Sequence, residues 1–481
     1  MQFTKSFEGD GAIGNSFNGY PLKNISLYPD MHISSLYVQN FRGFAKIEIP
    51  LNSSFTVAIG DNGMGKSSLL HALQVALGAY LQCLPLPALS VYRRQFKRQE
   101  KYVKWSAADR DYLSSTEDTL ISVTASMFSN TWQSVTGDME KVFVKGYEIG
   151  RARLVSEERP IQWTRVMLAN GTTSHNRKYA GDLIDAVRDL LKIGRDFNKT
   201  ANLPVLASFG TERTVAQLRK GKKAQQNRSR MEKGYLAALS EKVDFDGVIE
   251  WLHNYDSELK YIKEFEGTRE AVFEAISTAI PYLEDAGYNH HYQELEAVVN
   301  IDEENPGKKT HSNMSDGLKA MLNLVAELAF RCVVLNGFLG RNAVKESRGI
   351  VIIDELDMHL HPKWQRHVVK DLKSAFPNMQ FVVTTHSPFI VQSLASDELI
   401  NLDRLTDVPL NSLNIDDVAT SVMGVESAFS DDNTGKYEAA KTILGKLNTG
   451  VTAAAIQAEI DNISDPGLRA FLELNKLAAQ K

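Results

Sequence analysis

Residues 60–67 constrain this sequence most, because they combine closely spaced glycines with a lysine and a serine. The segment reads Gly60, Asp61, Asn62, Gly63, Met64, Gly65, Lys66 and Ser67, and Ser68 follows it. The apolar run SFTVAIG leads into it, and leucines at helical spacing come after it. A glycine-rich turn between a buried strand and a helix N-terminus presents backbone N–H groups to an anion. The pattern therefore predicts an α/β fold with a phosphate-binding loop.

The side chains at the end of this loop predict which cofactors it binds. We expect Lys66 to contact the β and γ phosphates of a nucleotide. The hydroxyl of Ser67 is expected to bind Mg²⁺. ATP and Mg²⁺ are therefore the predicted cofactors.

A second motif places two carboxylates at the end of a buried strand. Residues 350–355 read Ile-Val-Ile-Ile-Asp-Glu. In open α/β sheets, ligands bind at the carboxyl ends of the strands. We expect Asp354 to hold Mg²⁺, directly or through water, and Glu355 to polarise an attacking water. The alternative is a strand end with two solvated carboxylates and no chemistry.

Two further motifs are weak alone and gain meaning from their position. Ser315 and Gly317 stand at the predicted start of a long helix, where they could form an anion site or only an ordinary helix cap. His386 follows the apolar run QFVVTT, where a neutral imidazole could donate to a γ phosphate or serve only a structural role. Their placement on either side of the acidic strand favours the functional interpretation.

Bulk properties exclude several other classes of protein. The net charge of −5 argues against nucleic-acid binding over the whole surface. Cys83 and Cys332 lie far apart, so neither a disulfide framework nor a cysteine zinc site is expected. The apolar stretch 321–340 contains Glu327 and Arg331 and predicts a buried helix instead of a membrane span. With no signal peptide apparent, we expect a cytoplasmic protein.

The order of these motifs resembles the ABC-type ATPases of the RecF, SMC and OLD group. The phosphate loop, a large insertion, the segment Ser-Asp-Gly, IIDELDMHLHP and TTHSP carry the resemblance, together with NFRGF before the phosphate strand. It covers about residues 31–213 and 307–430. The resemblance implies an α/β ABC-type P-loop head with a mixed N-terminal lobe, a helical insertion, a parallel-sheet C-terminal lobe and a helical tail.

The resemblance also implies roles for single residues. Ser315 and Gly317 would be the signature motif, acting on ATP held by another subunit. Asp357 would belong to the D-loop, His386 would be the switch histidine, and Arg42 would lie near the nucleotide. The chain departs from the common pattern at Asp316, where the usual signature has glycine. No Q-loop glutamine is identified, and residues 210–213 are the candidate region for it.

We therefore divide the chain into five regions. They are a flexible N-terminal arm (1–30), ATPase lobe I (31–213), a helical insertion (214–306), ATPase lobe II (307–430) and a helical tail (431–481).

Within the group, a compact head resembles the ATPase subunit of Septu anti-phage defence systems. No long heptad coiled coil of the full SMC type and no acidic Toprim nuclease pattern is found in the sequence. In Septu systems a separate HNH nuclease cleaves DNA. The implied partners are a homo-oligomer built from head-to-tail dimers and an HNH-type nuclease, which the tail is expected to dock. Alternatives are a RecF-like repair ATPase acting directly on DNA and a nucleotide-gated scaffold with little turnover.

Two basic runs leave DNA contact open. Residues 91–105 mix arginines and lysines with aromatic side chains, and residues 213–233 hold a second group of arginines and lysines. Each run could contact phosphates or could be a solvated face.

Overall fold

The fold was obtained as a computed structural model, which describes most of the chain between residues 31 and 403. Residues 2–3, 16–17 and 20–21 are also described, as are residues 413, 415–425, 442–443, 457, 459–463, 469 and 472–473. The gaps within the main range are 88–89, 93, 107–109, 134–139, 145–146, 175–176, 197–201, 212–228, 242, 262 and 301–306. The predicted flexible arm, 1–30, therefore falls mainly outside the described residues.

The chain divides into two compact units, Met1–Ser412 and Leu413–Lys481. All the predicted nucleotide-site residues lie in the first unit. The second unit begins before residue 431, where the sequence pattern placed the start of the tail.

The first unit contains nineteen described strands. They are β1 (Gln2–Phe3), β2 (Ser16–Phe17), β3 (Tyr20–Pro21), β4 (Met31–Phe41), β5 (Phe44–Pro50), β6 (Phe55–Ile59), β7 (Val103–Ser106), β8 (Asp111–Ser114), β9 (Thr119–Gln133), β10 (Glu140–Val144), β11 (Tyr147–Met167), β12 (Thr173–Ser174), β13 (Val205–Phe209), β14 (Leu283–Asn289), β15 (Glu294–Val299), β16 (Gly307–Thr310), β17 (Gly349–Ile353), β18 (Met379–Thr384) and β19 (Leu399–Asn401).

The described residues form eleven α-helices. They are α1 (Lys66–Cys83), α2 (Arg177–Asp196), α3 (Arg230–Gly234), α4 (Phe245–Leu259), α5 (Thr268–Ala279), α6 (Asp316–Asn336), α7 (Ala343–Glu346), α8 (Pro362–Gln365), α9 (Val368–Ala375), α10 (Pro388–Gln392) and α11 (Ile415–Asp417).

A five-stranded parallel sheet forms the centre of the first unit, in the order β13-β17-β18-β6-β19. Every residue of β6, β13, β17 and β18 is buried. Strands covered on both faces are continuous apolar runs in sequence, which is why SFTVAIG and GIVIIDE are recognisable. The parallel sheet predicted for the C-terminal lobe is confirmed.

A second, antiparallel sheet has the order β1-β10-β11-β9-β4-β5, with β12 paired to β11. Helix α1 contacts strands of both sheets. The indole Nε1 of Trp163, on β11, donates to the carbonyl of Ala76 in α1 (2.9 Å). The buried amide of Gln380, on β18, exchanges hydrogen bonds of 2.8 and 2.7 Å with the backbone of Ile33 on β4. These contacts fix the mixed N-terminal lobe against the parallel sheet.

The insertion contains helices, and it also contains strands that the sequence analysis did not predict. Helices α3, α4 and α5 lie in residues 214–306, and β14 and β15 at the end of this range pair with β16, just beyond it, in a three-stranded antiparallel sheet. Along β15 the buried residues alternate with partly exposed ones. This two-residue period is the pattern of a half-buried strand, which the acidic composition of the segment obscures.

A buried ion pair ties the insertion to α6. The guanidinium of Arg331 contacts the carboxylate of Glu327 at 2.5 Å and donates to the carbonyls of Gly234 (2.7 Å) and Leu236 (3.0 Å). Glu327 also accepts the N–H of Asp244. Burial raises the pKa of Glu327, while the charge and hydrogen bonds of Arg331 oppose this effect. The predicted buried helix at 321–340 is thus an anchor for residues 234–244.

The second unit is described only in part. Ile415–Asp417 is helical and Val418–Val422 continues as a π-helix. Most of the predicted tail, 431–481, lies outside the described residues, and those that are described there are mainly helical. Among the described helices of the whole chain, none has the length and apolarity needed to cross a membrane.

Candidate functional site

The predicted motifs meet at one edge of the parallel sheet. The phosphate loop follows β6, the acidic pair follows β17, and the turn with His386 follows β18. Because neighbouring strands run parallel, their carboxyl ends lie side by side. This edge is where open α/β sheets bind ligands.

The phosphate loop has the backbone of an anion cradle. Gly63 and Gly65 adopt φ values of 89° and 99°, a region that disfavours other residues. A Cβ atom on Gly65 would lie 2.6 Å from the ring of Phe44, so glycine is also required by packing. Helix α1 begins immediately afterwards, at Lys66. The ammonium of Lys66 donates to the carbonyls of Gly60 (2.6 Å) and Asp61 (3.1 Å).

This arrangement fits the phosphates of a nucleotide. The loop and the start of α1 direct N–H groups and a positive dipole end to the same region. Residues 61–64 and Ser67 are exposed there. Among the described residues, the ammonium of Lys66 contacts neutral carbonyls, which a phosphate oxygen can replace with a stronger, charge-assisted hydrogen bond.

The acidic pair is connected to the loop through two hydroxyl groups. Ser67 donates to the carboxylate of Asp354 (3.3 Å). Thr384, at the end of β18, donates to the other oxygen of Asp354 (2.5 Å) and accepts the N–H of Glu355 (2.8 Å). A hydroxyl and a carboxylate oxygen so close together are ligands of the kind that Mg²⁺ prefers.

Glu355 has a constrained backbone. Its φ is 48°, in the left-handed region that non-glycine residues rarely occupy. Such strain persists only where surrounding contacts enforce it, and it concentrates at functional sites. Here the enforcing contacts are the bond to Thr384 and the bond from the N–H of Leu356 to the Thr384 carbonyl (2.9 Å).

Asp357 joins the acidic segment to the turn that carries His386. One carboxylate oxygen accepts from the hydroxyl of Thr385 (2.5 Å) and from the N–H of His386 (3.2 Å). The imidazole of His386 is exposed at the same sheet edge. Asp357 thus holds the backbone that positions the predicted switch histidine.

Of the two predicted signature residues, Gly317 packs against the segment that follows the acidic pair in its own chain. Ser315 is the N-cap residue of α6, is exposed, and makes no side-chain capping bond. A Cβ atom on Gly317 would lie 2.4 Å from the carbonyl oxygen of His359, so only glycine permits this approach. His359 itself has a φ of 64°. The packing therefore explains Gly317 without any ligand.

Arg42 lies in the turn between β4 and β5, two residues before the Phe44 that contacts Gly65. Its guanidinium donates to the buried carboxylate of Glu100 (3.0 Å), which also binds Arg94 (2.6 Å). Burial raises the pKa of Glu100, but hydrogen bonds, chiefly from Arg94, outweigh this effect and hold the pKa below its usual range.

Sequence reasoning missed two residues of this edge. The hydroxyl of Thr384 forms hydrogen bonds with both Asp354 and Glu355. The sequence feature that could have identified Thr384 is its position as the polar last residue of an apolar strand. Asp403 follows β19, and one of its carboxylate oxygens accepts the N–H of Asp61 in the phosphate loop (2.6 Å). The other oxygen is buried without a partner among the described residues. The strand before Asp403 is only three residues long, too short to be recognised by its pattern.

We predict that Thr384→Val slows ATP hydrolysis by about ten- to a hundredfold, the cost of a slight misplacement of catalytic groups. Valine matches threonine in shape but leaves the Glu355 N–H and an Asp354 oxygen without their hydroxyl partner. The free energy of unfolding should fall by about 1–3 kcal/mol. Thr384→Ser is the matched control, because it keeps the hydroxyl. Equal phosphate-release rates for the two variants would contradict the role of Thr384.

Comparison with protein families gives two matches. Residues 31–124 match the family model described as "AAA ATPase domain". Residues 184–392 match the model described as "AAA domain, putative AbiEii toxin, Type IV TA system". Between them they include the phosphate loop, the signature segment, the acidic pair and His386.

Similar proteins include two probable retron ATPases and a Septu protein. The retron Ec83 probable ATPase of Escherichia coli is 23% identical over 77% of this chain and 71% of its own length. The retron Vc95 probable ATPase of Vibrio cholerae is 43% identical over 19% of this chain and 18% of its own. The Septu protein PtuA of Bacillus thuringiensis is 32% identical over 24% of this chain and 33% of its own length.

Among solved structures, an SMC head bound to the C-winged helix domain of ScpA matches 77% of this chain and 93% of that chain. The TM-score is 0.40 and the identity 13%. The strand order and the family models, not this likeness, identify the fold. Together with the phosphate loop and the acidic pair at the edge of the parallel sheet, they identify the chain as an ATPase of the α/β P-loop class, with relatives among retron and Septu proteins.

Proposed function

We propose that this ATPase is the ATP-binding and ATP-hydrolysing subunit of an anti-phage defence complex and regulates a separate HNH-type nuclease. The connection of Ser67, Asp354, Thr384 and Glu355 supports the hydrolytic part, because it joins a cation-binding pair to a carboxylate that can polarise water. The similarity to retron ATPases and to Septu PtuA supports the defence role.

Each residue of the sheet edge has a place in this proposal. Lys66 exchanges its loop carbonyls for the β and γ phosphates of ATP. Ser67 and Asp354 hold Mg²⁺, which neutralises phosphate charge when bound. Glu355 orients and polarises the attacking water, and His386 donates to the γ phosphate. Asp357 keeps His386 at the edge through its backbone.

We propose further that two chains form a head-to-tail dimer. Ser315 is exposed at the N-terminus of the 21-residue helix α6, and its side chain makes no capping hydrogen bond. A helix N-terminus with a hydroxyl beside it is an anion site. In an isologous pair, Ser315 of each chain would contact the ATP of the other, and both sites would be complete.

The alternative of a repair ATPase acting directly on DNA receives less support. Arg94, in the first basic run, is mostly buried against Glu100. Arg230, in the second, donates to the carbonyl of Leu335. Arg94 and Arg230 therefore point inward, whereas Lys97, Arg98 and Lys104 of the first run are exposed. Residues 212–228 of the second run lie outside the described residues.

We predict that a variant lacking residues 413–481 binds ATP but no longer co-purifies with the HNH-type nuclease. The reason is that this deletion removes one compact unit and leaves every residue of the nucleotide site in place. The nuclease should be co-expressed with full-length and truncated chains and its yield measured after affinity capture. Full-length Glu355→Gln is the control and should retain the nuclease.

Two outcomes would reject parts of the proposal. Full nuclease yield with the truncated chain would show that residues 413–481 are not the docking region. If the purified full-length ATPase cleaved DNA alone, or if ATPase and nuclease together did not reduce plaque numbers, the two-component function would be wrong.

A further inference from the structure

One face of α1 carries a series of polar side chains that begins at Ser67 and continues through residues to which the ATPase mechanism above gives no role. Ser67, His71 and Gln74 are four and three residues apart, so they share this face. One ring nitrogen of His71, Nδ1, makes a short contact with the carbonyl oxygen of Ser67. The other, Nε2, lies 2.9 Å from the carboxylate of Glu241. His71 therefore joins Ser67 to Glu241 through its two ring nitrogens.

Glu241 lies in the first third of the insertion, and its backbone is held by a contact with the sheet edge. Its carbonyl accepts the N–H of Gly210, which follows β13 (2.9 Å), and its φ is 65°. A Cβ atom on Gly210 would lie 2.9 Å from the Glu241 Cβ. The carboxylate of Glu241 also accepts from the buried amide of Gln74 (2.9 Å). The insertion therefore returns to the sheet edge at a left-handed residue whose side chain faces α1.

The charge of Glu241 is strongly favoured in this position. The hydrogen bond from His71, followed by that from Gln74, lowers its pKa to about 2 although burial opposes the shift. The carboxylate thus remains ionised at every pH at which the protein would be assayed. Its side chain is still 41% exposed, so solvent reaches this position when the carboxylate is replaced.

The same face continues away from the loop. Gln74 donates to the hydroxyl of Ser208 in β13 (2.9 Å) and accepts from Arg94 (3.4 Å). Arg94 binds Glu100, which in turn binds Arg42. A continuous series of polar contacts therefore runs from Ser67 to the turn of Arg42, and Glu241 is its single described member from the insertion.

We propose that His71 and Glu241 are positioning residues for the cation side of the ATP site. Glu241 orients His71, and His71 fixes the backbone of Ser67, whose hydroxyl faces Asp354. Residues 229–241 of the insertion thereby influence Mg²⁺-dependent nucleotide binding and hydrolysis without contacting the nucleotide. This inference rests on the assignment of Ser67 and Asp354 to the Mg²⁺ site made in the proposed function.

The test uses the full chain with His71→Ala, Glu241→Ala and the double substitution. The first readout is the ratio of the ATP dissociation constants without and with Mg²⁺, which does not require turnover. We expect each single variant to lower this ratio about tenfold, as is typical when the partner of a metal ligand is removed. The affinity for ATP without Mg²⁺ should stay unchanged. Because the two residues act in series, the double variant should be no worse than either single one.

Two further variants separate positioning from general destabilisation. Glu241→Gln keeps an oxygen that accepts from His71 and should retain most of the Mg²⁺ effect. Asp185→Asn removes an exposed carboxylate that bridges Arg177 and Arg188 on α2. This variant should leave the ratio of the ATP dissociation constants without and with Mg²⁺ unchanged. Thermal midpoints measured alongside should be alike in Glu241→Gln and Glu241→Ala.

The outcomes distinguish this inference from the function itself. An unchanged Mg²⁺ ratio in His71→Ala and Glu241→Ala would overturn the inference, and so would additive losses in the double variant. If the ratio falls as expected but the wild-type protein does not hydrolyse ATP, the positioning role stands and the catalytic part of the proposed function fails. If Mg²⁺ does not change the ATP affinity of the wild-type protein, both the inference and the assignment of Ser67 and Asp354 to Mg²⁺ are wrong.

Discussion

Lys66→Ala is expected to abolish measurable ATP binding. The ammonium is held at the start of α1 by the carbonyls of Gly60 and Asp61, within the loop that surrounds the phosphates. Removing one partner of a desolvated charge pair costs about 2–5 kcal/mol, which corresponds to about a thirty- to several-thousandfold loss of affinity. Titration of the purified protein with a fluorescent ATP analogue measures the effect.

Lys345→Ala is the matched control. Lys345 is half exposed, pairs with Glu274, and lies in α7, before β17 and therefore at the opposite edge of the sheet. This variant should bind ATP like the wild type. If Lys66→Ala retained wild-type affinity as well, the loop would not be the nucleotide site.

Lys66→Ala also tests the head-to-tail dimer, when it is combined with a second variant. Ser315→Arg places a bulky cation where the signature hydroxyl should meet the partner's ATP. Each inactive variant supplies what the other lacks, so a mixed dimer holds one site with both defects and one with neither. Mixing Lys66→Ala with Ser315→Arg should therefore restore part of the ATP hydrolysis. No recovery in proven mixed dimers would reject the composite site.

The phosphate loop and the acidic pair could be predicted from sequence because local patterns specify them. The glycines of the loop are required by their own φ values and by the contact of Gly65 with Phe44. The strands before Gly60 and Asp354 are buried on both faces, so their apolar runs are unmistakable. Parallel pairing then brings their ends together without further information.

The supporting residues could not be predicted, because their roles depend on distant contacts. Thr384 matters through its bonds to Asp354 and Glu355, about thirty positions away in the chain. Glu241 reaches His71 only because the insertion returns to Gly210. The antiparallel sheet from β14 to β16 was missed because charged residues occupy its exposed positions. Pairing across the sequence, which no local pattern records, determines all of these contacts.

Glu355→Gln is expected to bind ATP normally and to lose nearly all hydrolysis. The amide has the shape of the carboxylate and keeps the backbone N–H that donates to Thr384. It cannot polarise water as an anion does, and a positioned general base typically contributes about a hundred- to ten-thousandfold to the rate. We therefore expect kcat to fall within this range while the dissociation constant for ATP changes little. Phosphate release under saturating ATP measures the first quantity, and equilibrium titration the second.

The left-handed backbone of Glu355 sharpens this expectation. Its φ of 48° is maintained by Thr384 and by the bond of Leu356 to the Thr384 carbonyl, so the side chain is held in place at the cost of local strain. Glutamine inherits the same backbone, and a loss of hydrolysis then reports the missing charge alone. Glu346→Gln, an exposed change in α7, should leave both quantities unaltered. Wild-type turnover in Glu355→Gln would transfer the role of general base to another residue of the sheet edge, with His386 the first to test.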